Sequence, residues 1–224
     1  MLHESSFSEV TRDPESGLLF RKSRNASRPK ARLLLLHGVG SNEANLASLA
    51  ASLPQELEIL LLRGPVLAGP QGFAWYQVTF TSDGPRFNQE QAESSRRLLR
   101  QFIEGLPALP TVIAGFSQGG IMSASLGVTE PELVAGFGVL SGRMLREIAP
   151  QIASRDRLRS VSAFIAHGHR DSVLPIDWAK EADEWLDTIG VVRQTHFYDM
   201  AHEIIAAELA DFSQWLKKTL LTDN

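Results

Sequence analysis

Thr111-Val112-Ile113-Ala114-Gly115-Phe116-Ser117-Gln118-Gly119-Gly120-Ile121-Met122-Ser123-Ala124-Ser125-Leu126 is the stretch that decides the fold. It opens on Thr111, after which Val112, Ile113 and Ala114 are apolar without alternation, the pattern of a strand covered on both faces. Its last six are small and apolar, which suits a helix packed closely on a sheet. Between them lies a G-x-S-x-G turn with a further glycine at Gly120. A strand, a tight turn and a helix in so few residues form one half of a βαβ unit.

The same signature recurs on both sides. Ala31–Leu36, Leu57–Leu62, Leu133–Leu140, Val161–Ala166 and Val191–Phe197 read, like Thr111–Phe116, as buried strands. Leu46, Leu49, Ala50 and Leu53 repeat at helical spacing between the first two. Trp178, Ala182, Trp185 and Ile189 do so later and stop at Gly190, a natural helix terminator. Ile205, Leu209, Phe212 and Leu216 mark a last helix. This alternation implies an α/β fold, a mostly parallel central sheet flanked by helices on both faces. Gly17–Arg24 is expected to add an antiparallel edge strand, and 1–30 as a whole an edge strand or hairpin. No repeat or Pro/Gly-rich linker divides the chain, so a single domain over 1–224 is expected.

Composition narrows the functional classes. With 22 Lys+Arg against 26 Asp+Glu the formal net charge is −4, so no global field calls for nucleic acid or an acidic membrane surface. Cysteine is absent, which removes disulfides, thiolate metal sites and a cysteine nucleophile together. Apolar runs such as Leu33–Leu36 are too short to span a bilayer, so no stable membrane insertion is expected. The first nine residues carry neither a basic segment nor an apolar one, so a cytoplasmic location is expected rather than secretion.

A serine in a strand-to-helix turn presents its hydroxyl above the sheet, and the helix N-terminus aims N–H groups at a developing oxyanion. Ser117 is therefore a candidate nucleophile. It needs a base, and six histidines compete. His37 and His167 end strands and suit structural hydrogen bonds, His196 lies within a strand, and His3 sits near the N-terminus. His167-Gly168-His169 suggests a metal pair but lacks a third ligand at a supporting spacing. His202, between the last strand and the last helix, is level with Ser117 at the carboxyl ends of the strands. For the acid, Asp171 is preferred to Asp199, which is too close in sequence to His202 to approach its ring from the side opposite Ser117. The order Ser117, Asp171, His202 is the order used on the α/β-hydrolase fold.

An oxyanion hole needs two backbone N–H groups, expected from Gln118 and, in the loop after Leu33–Leu36, from Val39. Since both donors are backbone groups, Gln118→Ala is expected to cost little. The alternative for His37-Gly38-Val39-Gly40 is a plain glycine-rich turn before a helix capped by Ser41 or Asn42. Residues 63–89 show no helical period, only Gly, Pro and aromatics, and are expected to form a long loop over the active site. The bland reading is a β-hairpin that merely covers one end of the sheet. Phe73, Trp75 and Tyr76, with Val173 and Leu174 after the acid, suggest an apolar substrate site; the competing reading makes Trp75 only an anchor for the loop. Arg21, Lys22, Arg24, Arg28, Lys30 and Arg32 form a basic run without an intervening acid, read as a solvated hairpin rather than an anion site. Trp178, Trp185 and Trp215 are read as mostly core.

Together these pieces resemble the phospholipase/carboxylesterase family of small α/β-hydrolases, which includes the acyl-protein thioesterases. The likeness runs from about Leu33 to the C-terminus. Leu35-Leu36-His37-Gly38-Val39-Gly40 looks like the family's oxyanion segment, and Gly115–Gly120 like its nucleophile motif. His167-Gly168-His169-Arg170-Asp171-Ser172-Val173-Leu174-Pro175 is similar to its H-G-x-x-D-x-V-V-P stretch, and Tyr198–Ile204 to its Y-P-G-M-G-H-x-I. Gly64-Pro65-Val66, Gly72, Trp75 and Tyr76 resemble its proline-rich loop. Departures are Ala201 for the family's glycine, Asp199 in place of Pro-Gly, and Tyr76 in place of Phe.

The resemblance implies a serine carboxylesterase acting through an acyl-enzyme, with no metal or organic cofactor and a small-molecule or lipid ester as partner. A homodimer is compatible with it. An acyl thioesterase or lysophospholipase is the nearest alternative. A ligand-binding or signalling protein on a hydrolase scaffold, and a peptidase, are the others.

Overall fold

The computed structural model describes residues 6–24, 28–50, 52–81 and 84–221. In chain order it contains β1 (Thr11–Arg12), β2 (Leu19–Lys22), β3 (Ala31–Leu36), a 3₁₀ turn Glu43–Leu46 running into α1 (Ala47–Ala50), and β4 (Leu57–Arg63). Four short strands follow, β5 (Val66–Leu67), β6 (Phe73–Ala74), β7 (Val78–Thr81) and β8 (Gly84–Phe87), then α2 (Gln89–Glu104), β9 (Thr111–Phe116), α3 (Gln118–Thr129) and β10 (Gly136–Leu140). The rest is α4 (Arg155–Leu158), β11 (Ser162–Gly168), α5 (Asp177–Ile189), β12 (Val192–Tyr198) and α6 (Ala206–Leu220).

Eight strands form one sheet in the order β1-β2-β4-β3-β9-β10-β11-β12. β1 and β2 run antiparallel to their neighbours, and every other pairing is parallel. The fold is thus the α/β sandwich implied by the alternation, with the leading segment as its antiparallel margin. Successive residues of the central strands serve opposite cores. Leu34, Leu36, Leu60 and Leu62 pack with Leu99, Phe102, Met122 and Leu186 of α2, α3 and α5. Leu33, Leu35, Ile59 and Leu61 pack with Leu49, Phe212, Trp215 and Leu216 of α1 and α6. This is why those strands are apolar without alternation: neither face meets water.

Four expectations change. β12 is not buried; it is the sheet's edge, pairs only with β11, and is half-exposed along most of its length. Its Arg193 and Thr195 meet Asp183 of α5, a polar fringe that suits a strand with one open side. The strand expected from Leu133 begins at Gly136, because Pro131–Leu133 is a 3₁₀ turn opened by proline. The Leu46–Leu53 helix is only α1 plus the preceding turn. Trp215 is core, but Trp178 and Trp185 are half-buried, with the Arg143 guanidinium 4.5 Å from the Trp178 ring centre.

The basic run is also not simply solvated. Arg32 is 2 % exposed and lies 2.5 Å from Glu58, which also pairs with Lys22. Arg21 joins Arg63 on buried Glu43. The acids absent from the run are supplied by β4 and the turn after β3, which a linear reading cannot align.

Candidate active site

The candidate residues Val39, Ser117, Asp171 and His202 follow the carboxyl ends of β3, β9, β11 and β12. Ser117, between β9 and α3, adopts φ 55° and ψ −117°, a backbone region that a non-glycine residue enters only when its surroundings enforce it. They do so here. Its N–H bonds the Leu140 carbonyl at 2.8 Å, and its own carbonyl accepts the Ile121 N–H at 3.1 Å. Two residues on, a Cβ at Gly119 would collide with the Leu36 carbonyl, so glycine there lets α3 start hard against β3.

The histidine and the acid arrive on two neighbouring loops. The loop after β11 is tied to the loop after β12 by His169 N–H to the Tyr198 carbonyl, 2.8 Å, and Arg170 N–H to the Met200 carbonyl, 3.0 Å. At Gly168 a side chain would strike the Met200 carbonyl, so this approach also requires glycine. The result is a continuous chain: His202 Nε2 is 3.0 Å from Ser117 Oγ, and His202 Nδ1 is 2.7 Å from Asp171 Oδ2. Asp171 Oδ1 accepts the N–H groups of Val173 and Leu174 at 2.9 and 2.8 Å, which fixes the carboxylate plane. The His202 ring packs on Phe116, with centroids 4.8 Å apart. Asp199, the rival acid, is exposed and paired with Arg170 at 2.8 Å.

The other strand-end histidines have both ring nitrogens turned inward. His37 Nδ1–H donates to the Gly38 carbonyl at 2.7 Å, and its Nε2 accepts the Gly64 N–H at 2.9 Å. His167 Nε2–H donates to the Leu174 carbonyl at 2.8 Å. Burial pushes both below the ordinary imidazole range, and the backbone carbonyls they donate to only partly offset it. His169 faces Phe197 instead, so the pair does not converge on a metal. Among the described residues no three His, Asp or Glu side chains are placed to hold one.

Residues 63–89 form two small hairpins, β5–β6 and β7–β8. Phe73 bridges Ser41 in the loop after β3, and Gly40 N–H donates to the Phe73 carbonyl at 2.9 Å. Trp75 and Tyr76 are buried, at 0 and 2 % exposure, and are not brought to the cleft. Trp75 Nε1–H donates to the His37 carbonyl at 3.0 Å, the anchoring role. Phe73 lies under the Arg63 guanidinium, and Leu174 turns inward. Of the residues expected there, Val173 does line the cleft beside Ser117, together with Val39, Leu46, Phe116 and Ile204, around a space of about 480 Å³. Val39 and Val173 are 45 and 50 % exposed, large apolar side chains left to solvent at its mouth.

The part that sequence reasoning missed is the side chain of Gln118. Its Oε1 accepts the Trp75 N–H at 2.7 Å and its Nε2–H donates to the Tyr76 carbonyl at 2.8 Å, both buried. The expectation for Gln118→Ala considers the backbone alone; the truncation would also orphan two buried backbone groups of the long loop. Gln118 N–H opens α3 and has no helical acceptor four residues back.

Residues 23–220 match the sequence signature of the Phospholipase/Carboxylesterase family. The chain belongs to that family. It is 25 % identical to acyl-protein thioesterase 1 of Kluyveromyces lactis over 89 % of its length and 96 % of the relative's. It is 26 % identical to that of Emericella nidulans over 87 and 92 %. Its fold superposes on a carboxylesterase of Bacillus cereus with a TM-score of 0.79, at 23 % identity over 91 and 95 % of the two chains. As a phospholipase/carboxylesterase family member this chain is a hydrolase on the α/β-hydrolase fold. Among its described residues no helix is long and apolar enough to cross a membrane.

Proposed function

We propose that this hydrolase is a serine carboxylesterase in which Ser117, His202 and Asp171 act as nucleophile, base and orienting acid. The observation that carries the reading is the unbroken hydrogen-bonded line from Ser117 Oγ through His202 to a carboxylate already held by two backbone N–H groups. His202 Nε2 takes the Ser117 proton as Oγ attacks the ester carbonyl. Asp171 holds the ring in the tautomer that keeps Nε2 free and stabilises the imidazolium that forms. The N–H groups of Gln118 and Val39 receive the oxyanion. The tetrahedral intermediate then collapses, the ester C–O bond breaks, and the alkoxide leaves with the proton carried by His202. Water, deprotonated in turn by His202, cleaves the acyl-enzyme. Val39, Phe116 and Val173 offer the acyl group an apolar wall, while Trp75 and Tyr76 support the loop behind it.

The test is stopped-flow release of p-nitrophenol from p-nitrophenyl acetate. The wild type is expected to give a stoichiometric burst followed by turnover, and Ser117→Ala neither. A burst that survives Ser117→Ala overturns the assignment. Because the matched relatives are named acyl-protein thioesterases, the second reading is thioester hydrolysis by the same residues. Comparing kcat/KM for an oxyester and a thioester of one acyl group separates the two.

A further inference from the structure

The cleft at Ser117 continues into a second groove on the surface between α1 and α6, of about 660 Å³. Asn45, Leu46 and Ile204 line both, so they form a threshold between one space and the next. Beyond it the walls are Ser48 and Leu49 from α1, Ile205 just before α6, and Ala206, Leu209 and Ala210 from α6. At the far end lie Ser52, Gln214 and Lys217, where the lining turns polar. From Ala206 to Lys217 the helix rises about 17 Å, so the groove is long and follows one straight element.

The side of the cleft from which the groove leaves identifies the part of a substrate it receives. His202 must deliver its proton to the departing alkoxide, so the alcohol half of the ester lies on the His202 side. The α6 wall of the groove starts in the residues that follow His202, at Ile204 and Ile205. Between the threshold and Ala210 the lining is mostly apolar, broken only by the neutral polar side chains of Asn45 and Ser48, and it carries no charge before Lys217, which suits a hydrocarbon rather than a charged headgroup.

We propose that the α1–α6 groove binds the alkyl chain of the ester's alcohol, making this hydrolase selective for esters of long-chain alcohols. This rests on the reading of Ser117 as nucleophile. The chain crosses the threshold at Leu46 and Ile204, lies along Leu49 and Leu209, and emerges into water at Gln214 and Lys217. Each methylene buried on that path raises kcat/KM by about fourfold until the groove is filled.

The experiment compares two substrate series in a pH-stat: acetate esters from methyl to octyl, and p-nitrophenyl esters from acetate to laurate. For the wild type, kcat/KM is expected to climb along the alcohol series. Ala210→Trp, an exposed helical position whose indole fills the groove, is expected to flatten that climb and lower octyl acetate kcat/KM at least tenfold. Thr188→Trp, an exposed position on α5 outside the groove, is expected to keep the wild-type profile. A flat alcohol series in the wild type, or a climb that survives Ala210→Trp, overturns the proposal. So does a climb found only along the acyl series and lost in Ala210→Trp, which would give the groove to the acyl chain. Octanol binding by calorimetry reads the groove without turnover and is expected to be lost in Ala210→Trp. If p-nitrophenyl acetate gives no burst while octanol binds in this way, the nucleophile assignment has failed and the groove has not. If the burst is present and octanol binds neither protein, the groove has failed alone.

Discussion

Two histidines stand beside the same carboxylate and do different things. His202 is 2.7 Å from Asp171 Oδ2, and His167 is 3.4 Å from the same oxygen. The ring of His202 is partly open, and its second nitrogen faces Ser117. The ring of His167 is fully buried, and its Nε2–H is committed to the Leu174 carbonyl. That same Leu174 donates its N–H to Asp171, so His167 braces the turn that holds the acid. Proximity to an acid alone thus does not bring a ring nitrogen to Ser117. What distinguishes the two is where the remaining nitrogen points and whether water can reach the ring.

The sharpest way to break this comparison is one substitution at both sites. His202→Gln removes the proposed proton acceptor and is expected to lower kcat by about 10⁶-fold, whereas His167→Gln keeps a donor for Leu174 and should stay within about tenfold. Similar losses in a steady-state ester assay would erase the distinction. Next in size is the shared partner. Asp171→Asn is expected to cost about 10⁴-fold in kcat, since the amide favours the wrong tautomer of His202. A loss no larger than that of His167→Gln would mean that Asp171 serves structure only.

The smallest effect separates the rings by pH. Burial holds the folded-state pKa of His167 below its value in the unfolded chain, despite the Leu174 carbonyl that favours the charged ring. The native state therefore binds fewer protons through His167 at mildly acid pH, and stability falls as pH drops below about 6.5 towards the folded-state value. His167→Gln should remove that part of the acid loss, read as a shallower dependence of Tm on pH. An unchanged slope would show that His167 does not titrate on unfolding.

The same contrast explains what could be read from sequence. Ser117, Asp171 and His202 were legible because each sits in a local pattern tied to a strand end, and the topology of an α/β fold brings strand ends together. The central strands were legible because Leu33–Leu36 and Leu57–Leu62 are buried on both faces and need no knowledge of their neighbours. β12 was misread because an apolar run looks the same on an edge strand. Trp75 was ambiguous because a loop has no period to say which way an aromatic points; only the Nε1–H bond to His37 decides it. The Arg32–Glu58 pair and the two bonds of Gln118 link residues 26 to 43 positions apart, and no spacing rule announces them. The α1–α6 groove was invisible for the same reason, since its walls come from opposite ends of the chain.

Gln118 has a consequence for how such a site can diversify. Its backbone opens α3 directly after Ser117 while its side chain grips the backbone of Trp75 and Tyr76, so one residue joins the candidate site to the loop around it. The grip is on main-chain atoms, and it therefore places no demand on which side chains the loop carries. Insertions and substitutions around Leu67–Gln71 or after Gln77 can reshape the approach to the cleft while that two-residue seam stays in place. Descendants of this chain can thus acquire new surroundings for Ser117 without rebuilding it, provided that position 118 keeps an amide.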